Sequence, residues 1–304
     1  VLLFVAAVAG RLPVEAGRRA GRGLARLAWR LRPRERRLAT ANLALAFPDL
    51  DGPGRERLLG QAVAAAGSNL FDTLATGRLL SLRGMVSDEP GPDGRTLVEV
   101  ILAEAAAGRG VLVLSGHLGC WELMGAWLAR GLAVAGGGPL HVVTATVRNP
   151  AVDRWLSRRR REVGLRLLPR SDGVAPVLRS LRAGGVVAVL VDQNTGADSA
   201  AVPFFGRPAP TPTGAARLAV SLDVPVVVAT IARTADGRRH LVRHGPVWRA
   251  DPARPRDEQI AACLQWTNAQ IEERVRRNPA EWVWYHRRWD DEAAARGGQA
   301  GRRE

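Results

Sequence analysis

Apolar and polar positions divide the chain into two unlike parts. From about residue 97 the patterns take turns: helix 97–107, strand 111–115, helix 120–130, strand 141–147, helix 150–162, strand 165–168, helix 173–183 and strand 186–191. A loop follows, then helix 212–221, strands 224–232 and 240–247, helix 256–277 and a closing apolar stretch at 281–286. Short apolar runs such as Val111–Leu114 and Val186–Leu190, bounded by turn residues, read as buried strands. This alternation predicts an α/β fold with a mixed, largely parallel central sheet flanked by helices. There is no internal repeat.

The first part is helical. Residues 13–31 form a two-faced pattern, with Arg18, Arg22, Arg26 and Arg30 at every fourth position and Leu24, Leu27, Ala28 and Leu31 opposite. Such a helix suits an anionic membrane surface, and an ordinary surface helix packed on the core fits the same pattern. A second helix over 34–46 stops at Phe47-Pro48, a long one covers 54–82, and a Gly/Pro/Asp-rich loop covers 86–94. Val1 to Gly10 are all apolar or glycine. Ten residues fall short of the roughly 20 that span a bilayer, so the expectation is the end of a longer anchor. Arginines follow this segment and none precede it, which suits a cytoplasmic flank better than a cleaved signal peptide. The expected organisation is a membrane-associated helical segment at 1–85 with an anchoring start, an α/β core at 86–291 and a disordered tail at 292–304.

Composition sharpens this picture in one respect. A chain of 304 residues with 46% hydrophobic content has ample material for a large core, which excludes a disordered protein. The net charge is +15, and all 44 basic residues are arginine. An excess of this size implies an anionic partner: nucleic acid, anionic lipid, or an acidic carrier or cofactor. Cys120 and Cys263 provide neither a disulfide framework nor a zinc site and fit a reducing compartment.

Candidate chemistry centres on Gly116-His117-Leu118-Gly119-Cys120-Trp121-Glu122. His117 ends a strand, and Glu122 falls in the first turn of the next helix. On one continuous helix two residues five apart would diverge by about 140°; across a turn, the carboxylate can return to the imidazole. A carboxylate on one ring nitrogen fixes the tautomer and leaves the other as a base. The spacing alone also fits a capping or core-edge histidine that happens to precede an acid. Cys120 is a possible thiol nucleophile, with packing the plainer reading. Arg148-Asn149-Pro150 places an arginine fork at a strand end, where it can clamp phosphate or carboxylate; a surface arginine is the alternative. Asp192-Gln193-Asn194 follows a buried strand, so these side chains hold a loop, cap a turn or line a pocket. The stretch Pro203-Phe204-Phe205-Gly206 and the helix opening at Thr211-Pro212-Thr213-Gly214 suggest an apolar wall beside an anion-accepting helix start. Glu281 to Trp289 mixes aromatics and arginines, which suits a membrane interface, a stacking platform or a closing core segment; His286 there is not assigned to catalysis. No Walker lysine, dinucleotide loop, nucleophile elbow or metal motif is present, which leaves metal-free base catalysis by His117.

Taken together, these motifs resemble the bacterial lipid A biosynthesis acyltransferase family of lauroyl and myristoyl type, within the lysophospholipid acyltransferase superfamily, which also includes phosphatidylinositol mannoside acyltransferases. The resemblance runs from about residue 10 to 289. It rests on Asn42-Leu43 with Ala46-Phe47-Pro48, the histidine motif at 116–122, Arg148-Asn149-Pro150, Asp192-Gln193-Asn194, Pro203-Phe204-Phe205-Gly206 and Trp284-Tyr285-His286-Arg287-Arg288. The motif ends in Glu where Asp also occurs, and the strand-end triplet is Asp-Gln-Asn where Asp-Gln-Asp is commoner. The resemblance implies an O-acyltransferase of lipid A, hence lipopolysaccharide, biosynthesis at the cytoplasmic face of the cell inner membrane. It moves a fatty acyl chain from an acyl carrier protein or CoA thioester to a glycolipid hydroxyl, with no other cofactor and no metal. His117 would be the general base and Glu122 its orienting partner, with Arg148, Asp192 and Asn194 binding substrate phosphate and sugar groups. The implied partners are anionic membrane lipids, the thioester donor and the glycolipid acceptor, not nucleic acid. Two rivals remain from the residues themselves: a non-catalytic basic membrane-surface protein, and an acyl hydrolase using the same His/Glu pair.

Overall fold

Val111–Ser115 (β2) is buried along its whole length, and successive side chains point to opposite faces of the sheet. Val111 and Val113 enter one hydrophobic core, Leu112 and Leu114 another. A computed structural model describes residues 11–194 and 198–289, and the expected anchoring start at 1–10 and tail at 292–304 lie outside the described residues. Seven strands form the central sheet in the order β1-β9-β8-β2-β5-β3-β4. They are β1 (Val86–Asp88), β2, β3 (Leu140–Thr144), β4 (Arg166–Pro169), β5 (Val186–Leu190), β8 (Val226–Arg233) and β9 (His240–Trp248). Five run parallel, while β9 pairs antiparallel with β8 and carries β1 parallel to itself at the edge. The predicted mixed, largely parallel sheet flanked by helices is thus the observed architecture. Two elements differ from expectation. The loop expected at 86–94 begins with β1, and the connection after β5 contains an antiparallel hairpin, β6 (Ser199–Phe204) and β7 (Arg207–Pro212). The prolines of the hairpin hid its period-2 pattern.

Ten α-helices are present among the described residues. The N-terminal four are α1 (Val14–Arg30), α2 (Pro33–Ala46), α3 (Gly52–Leu74) and α4 (Thr76–Ser81). Asp51 caps α3 by accepting from the Gly54 N–H at 2.7 Å. The single helix expected over 54–82 breaks at Ala75. There the Thr73 hydroxyl bonds back to the Asn69 carbonyl, and the Thr76 hydroxyl to the Asp72 and Thr73 carbonyls, competing with the helical ladder. The others are α5 (Leu97–Ala106), α6 (Trp121–Val134), α7 (Pro150–Glu162), α8 (Ala175–Arg182), α9 (Gly214–Leu222) and α10 (Arg256–Arg277). The two cores lie on either face of the sheet. Leu43, Leu59 and Val63 of α2 and α3 share one with Val177, Ala216 and Ile271 of α8–α10, and Phe71 and Leu79 share the other with α5 and α6. The N-terminal helices are therefore integral to the same packing.

α1 lies against α3 at backbone contact distance. A Cβ on Gly21 would stand 2.3 Å from the Gly67 carbonyl oxygen, and one on Gly67 equally close to that of Gly21. This approach turns the Gly17, Arg18 and Gly21 side of α1 inward: Arg18 is buried while Arg26 and Arg30 stay exposed, and Leu24, Leu27 and Leu31 are 68%, 59% and 79% exposed. The sequence pattern identified both faces but not which one the core would take. No helix among the described residues is long and apolar enough to cross a membrane.

Candidate active site

β2 and β5 are parallel neighbours with Ser115 opposite Leu190. Two residues beyond each lie His117 and Asp192, so the register of the sheet brings them together at its C-terminal rim. Open α/β sheets collect binding chemistry there. His117 Nδ1 lies 2.6 Å from Asp192 Oδ1, and the His117 backbone N–H donates to Oδ2 at 2.7 Å. The indole N–H of Trp282 donates to the same Oδ2 at 2.7 Å. Asp192 is 2% exposed. Burial would raise its pKa, but the facing imidazole, its hydrogen bond and the two N–H donors outweigh that and hold the carboxyl at about 2. An ionised Asp192 makes Nδ1 the donor, leaving Nε2 with its lone pair. Nε2 has no hydrogen-bond partner among the described residues, and the side chain retains solvent access.

The segment that presents His117 is pinned from the far end of the chain. Gly119 N–H donates to the Glu281 carbonyl at 2.9 Å, and Val283 N–H to the His117 carbonyl at 3.2 Å. Gly119 adopts φ +63°, and a Cβ there would stand 2.0 Å from the Ile231 carbonyl oxygen. Gly119→Ala combines left-handed strain with a backbone clash. The expected outcome is a destabilisation of at least about 2 kcal/mol, read as a lower urea midpoint with an unchanged slope. The Gly119 N–H is already engaged and is not open to an oxyanion. The N-terminus of α6 remains, since Cys120 at its cap position supplies no side-chain bond.

Glu122 does not reach His117. Its carboxylate takes both arms of Arg160, from Nε at 3.0 Å and Nη2 at 2.5 Å, because the first turn of α6 faces the C-terminal half of α7. The expected orienting role of Glu122 therefore passes, in the geometry, to Asp192. Asp192, expected to bind substrate, is buried with both oxygens bonded to His117 and Trp282. Arg148 is exposed on the loop between β3 and α7, with no hydrogen bond or ion pair among the described residues. Its neighbour Asn149 caps α7, accepting from Ala151 N–H at 2.9 Å. Asn194 borders the segment 195–197, which is outside the described residues. Cys120 is buried, and desolvation followed by the charge of Asp72 pushes its thiol up to about 12, which leaves packing as its role.

Three residues of this site escaped the sequence reading. Arg160 was hidden in a run of four arginines. Trp282 read as core, which it also is, packing edge-on against Trp284 at 4.6 Å. His286 lies with its ring centroid 5.7 Å from that of His117; burial first, and then the proximity of the His117 ring against the pull of Asp192, push it below the ordinary histidine range. Asn42 anchors this closing segment, donating to the Trp284 and His286 carbonyls at 2.7 and 2.8 Å. Arg288 is fully buried against the hairpin, bonded to Pro210 and Thr211, so this segment closes the core.

Two apolar cavities meet at the start of α6. One, about 80 Å³, lies between α6 and the sheet and is lined by Ser115, Trp121, Glu122, Leu128, Val142 and Arg160. The other, about 440 Å³, is a groove bordered by Leu70, Gly119, Trp121, Trp155, Leu156 and Tyr285. Glu122 lines both. Among the described residues no group of three or more His, Cys, Asp or Glu side chains gathers as a metal site.

Comparison with known proteins follows the same outline. The chain is 27% identical over 286 residues to the lipid A biosynthesis lauroyltransferase of Escherichia coli K12, covering 92% of this chain and 87% of that protein. It is 30% identical over 183 residues to the lipid A biosynthesis myristoyltransferase of the same strain, 60% of this chain and 54% of that one. It is also 30% identical over 122 residues to a phosphatidylinositol mannoside acyltransferase of Mycobacterium tuberculosis CDC 1551, 39% of this chain and 37% of the relative. A family model for the bacterial lipid A biosynthesis acyltransferases matches residues 1–291, and the chain belongs to that family.

Proposed function

We propose that this protein is an O-acyltransferase that moves a fatty acyl chain from an acyl carrier protein or CoA thioester to a hydroxyl of a lipid A-like glycolipid, with His117 as general base. The observation that carries the reading is His117 itself, its Nδ1 held by an ionised Asp192, its side chain solvent-accessible, and its ring packed edge-on at 4.9 Å against Trp121, which lines the apolar groove. A lipid hydroxyl attacks a thioester poorly because its proton is held far above neutral pH. Nε2 would take that proton as the C–O bond forms, and Asp192 would stabilise the imidazolium. Collapse of the tetrahedral intermediate breaks the C–S bond, and the leaving thiolate recovers the proton from Nε2. The partial positive charge of the α6 N-terminus favours the developing oxyanion. Glu122 would hold the Arg160 fork where an anionic group of donor or acceptor can meet it. Arg148 and Asn194, on the same rim, are candidate contacts for phosphate and sugar groups.

The same reading places the protein on the cytoplasmic face of the inner membrane. Leu24, Leu27 and Leu31 point out of α1, and Leu70 of α3, 62% exposed, borders the apolar groove. Burying such leucines in lipid is worth about 1.5–3 kcal/mol each, so this face supports docking on a bilayer with the groove open to its acyl chains. The arginine excess suits an acidic carrier, CoA phosphates or an anionic leaflet. The test is transfer from a radiolabelled acyl thioester to extracted membrane glycolipids. Label on lipid with wild type, absent with His117→Ala, is the expected result. Label released as free acid would make the protein a hydrolase. No turnover from folded, membrane-bound protein would leave a surface-binding protein.

A further inference from the structure

Away from His117, the C-terminal half of α10 and the middle of β9 enclose a second polar cavity of about 300 Å³, with Glu89–Pro92 closing one side. Three arginines line it, and two have close partners. Arg243 bonds Glu89 at 2.8 Å, and Arg277 bonds Glu273 at 2.7 Å. The third, Arg274, does not. It is 7% exposed, yet its nearest carboxylate is Glu273 at 3.9 Å, already taken by Arg277. Arg274 Nη1 donates to the backbone and side-chain oxygens of Gln270 at 2.6 and 3.1 Å, whereas its Nε is buried with no partner. Nη2 lies against β9 at Gly245, where a Cβ would stand 3.2 Å away, and donates to no described residue. Desolvation depresses the pKa of Arg274, with Glu273 opposing and Arg277 and Arg243 adding to the fall. A guanidinium so deeply buried, with its fork half empty, has no carboxylate within hydrogen-bond distance.

From this geometry we infer a second, non-catalytic binding site for a phosphate oxyanion, held by Arg274 with Arg243 and Arg277. Three arginines against two carboxylates leave one positive charge uncompensated. Planar forks favour an oxyanion that accepts two parallel bonds, which phosphate does. The walls beside them are Pro90, Pro92 and Pro246, which offer no N–H, so a phosphate ester can set its neutral body there.

The experiment measures the melting temperature of the full chain against inorganic phosphate and sn-glycerol 3-phosphate at constant ionic strength. Wild type should rise saturably with ligand, because binding to the folded state alone stabilises it. Arg274→Gln should weaken the apparent affinity at least about tenfold. Arg274→Lys keeps the charge without the fork and should fall between. The exposed Arg37→Gln should behave as wild type. If Arg274→Gln does not fold, Arg243→Gln takes its place with the same expected direction. Flotation with phosphatidylglycerol vesicles separates the sources: Arg274-dependent flotation assigns a lipid headgroup, and a response to the soluble compounds alone assigns a free phosphate. No saturable response in wild type, or an equal one in Arg274→Gln and Arg37→Gln, overturns the proposal.

Discussion

Asp192→Asn should lower kcat by about 10²–10⁴-fold, nearly as far as His117→Ala, while the protein stays folded. Three donors converge on the two oxygens of Asp192: the His117 N–H, the His117 ring and the Trp282 indole. An asparagine keeps one oxygen and replaces the other with an NH₂ that must face a donor. If the amide nitrogen turns to His117, Nδ1 becomes the acceptor and Nε2 carries the proton, so the ring can no longer serve as a base. If it turns to Trp282, the indole N–H is left unsatisfied in the core. Either way the negative charge that would stabilise the imidazolium is gone. The effect should fall on kcat with little change in KM, since Asp192 is buried and both its oxygens are bonded within the protein. Trp282→Phe removes one of the three donors and should cost less. Glu122→Gln is the contrasting variant: it frees one arm of Arg160, 3.0 Å from the carboxylate, without touching the imidazole, and should raise KM. An Asp192→Asn enzyme within about threefold of wild type would remove Asp192 from the mechanism.

The contrast between Asp192 and Glu122 marks where sequence reasoning stops. Six of the seven strands of the central sheet, most of the helices and the strand-end position of His117 follow from local apolar periodicity and were legible, whereas β1 and the β6–β7 hairpin were not. The partner of His117 was not, because it depends on which strands lie side by side. Glu122 is five residues away along the chain; Asp192 is 75 residues away and adjacent only because β2 pairs with β5 in that register. The inward turn of Arg18 had the same cause. A two-faced helix shows its faces in sequence, but Gly21 against Gly67 and a buried acid on α3 decided which face the core takes. Trp282 and Asn42 were both noticed as core or motif residues. Their hydrogen bonds, across 90 and 242 residues of chain, had no local signal. Arg160 was lost for a compositional reason: in a protein with 44 arginines, no single one stands out.

Asp72→Ala should destabilise the protein by about 3–5 kcal/mol, the largest stability effect expected of any substitution outside the apolar cores. Asp72 is fully buried and takes Arg18 Nε at 2.8 Å on one oxygen and Arg233 Nη2 at 2.6 Å on the other, with His240 Nε2 at 3.0 Å. Burial lowers the His240 pKa, with Asp72 opposing and the two arginines adding to the fall. Removing the carboxylate leaves Arg18 with no acid, only the Gly237 and Arg238 carbonyls and the His240 ring nitrogen at 3.0 Å, and leaves Arg233 to Glu281 alone. The loss reaches the segment that carries His117, since Glu281 also holds Gly119 through its carbonyl. Thermal unfolding should fall by roughly 10 °C, and kcat should fall with it more than Gly21→Ala, which disturbs α1 without touching the charges. Acid titration gives an independent readout. Burial would raise the Asp72 pKa, but His240, Arg233 and Arg18 together hold it at about 2, below the ordinary 3.8. A carboxyl depressed on folding contributes stability that is fully present above the unfolded value and is lost as pH falls through the folded one. Asp72 and Asp192 share this window, so wild type should lose stability steeply between about pH 4 and 2. Asp72→Asn should remove one of the two contributions and flatten that slope, whereas a slope unchanged from wild type would mean that the cluster is not ionised as its geometry requires.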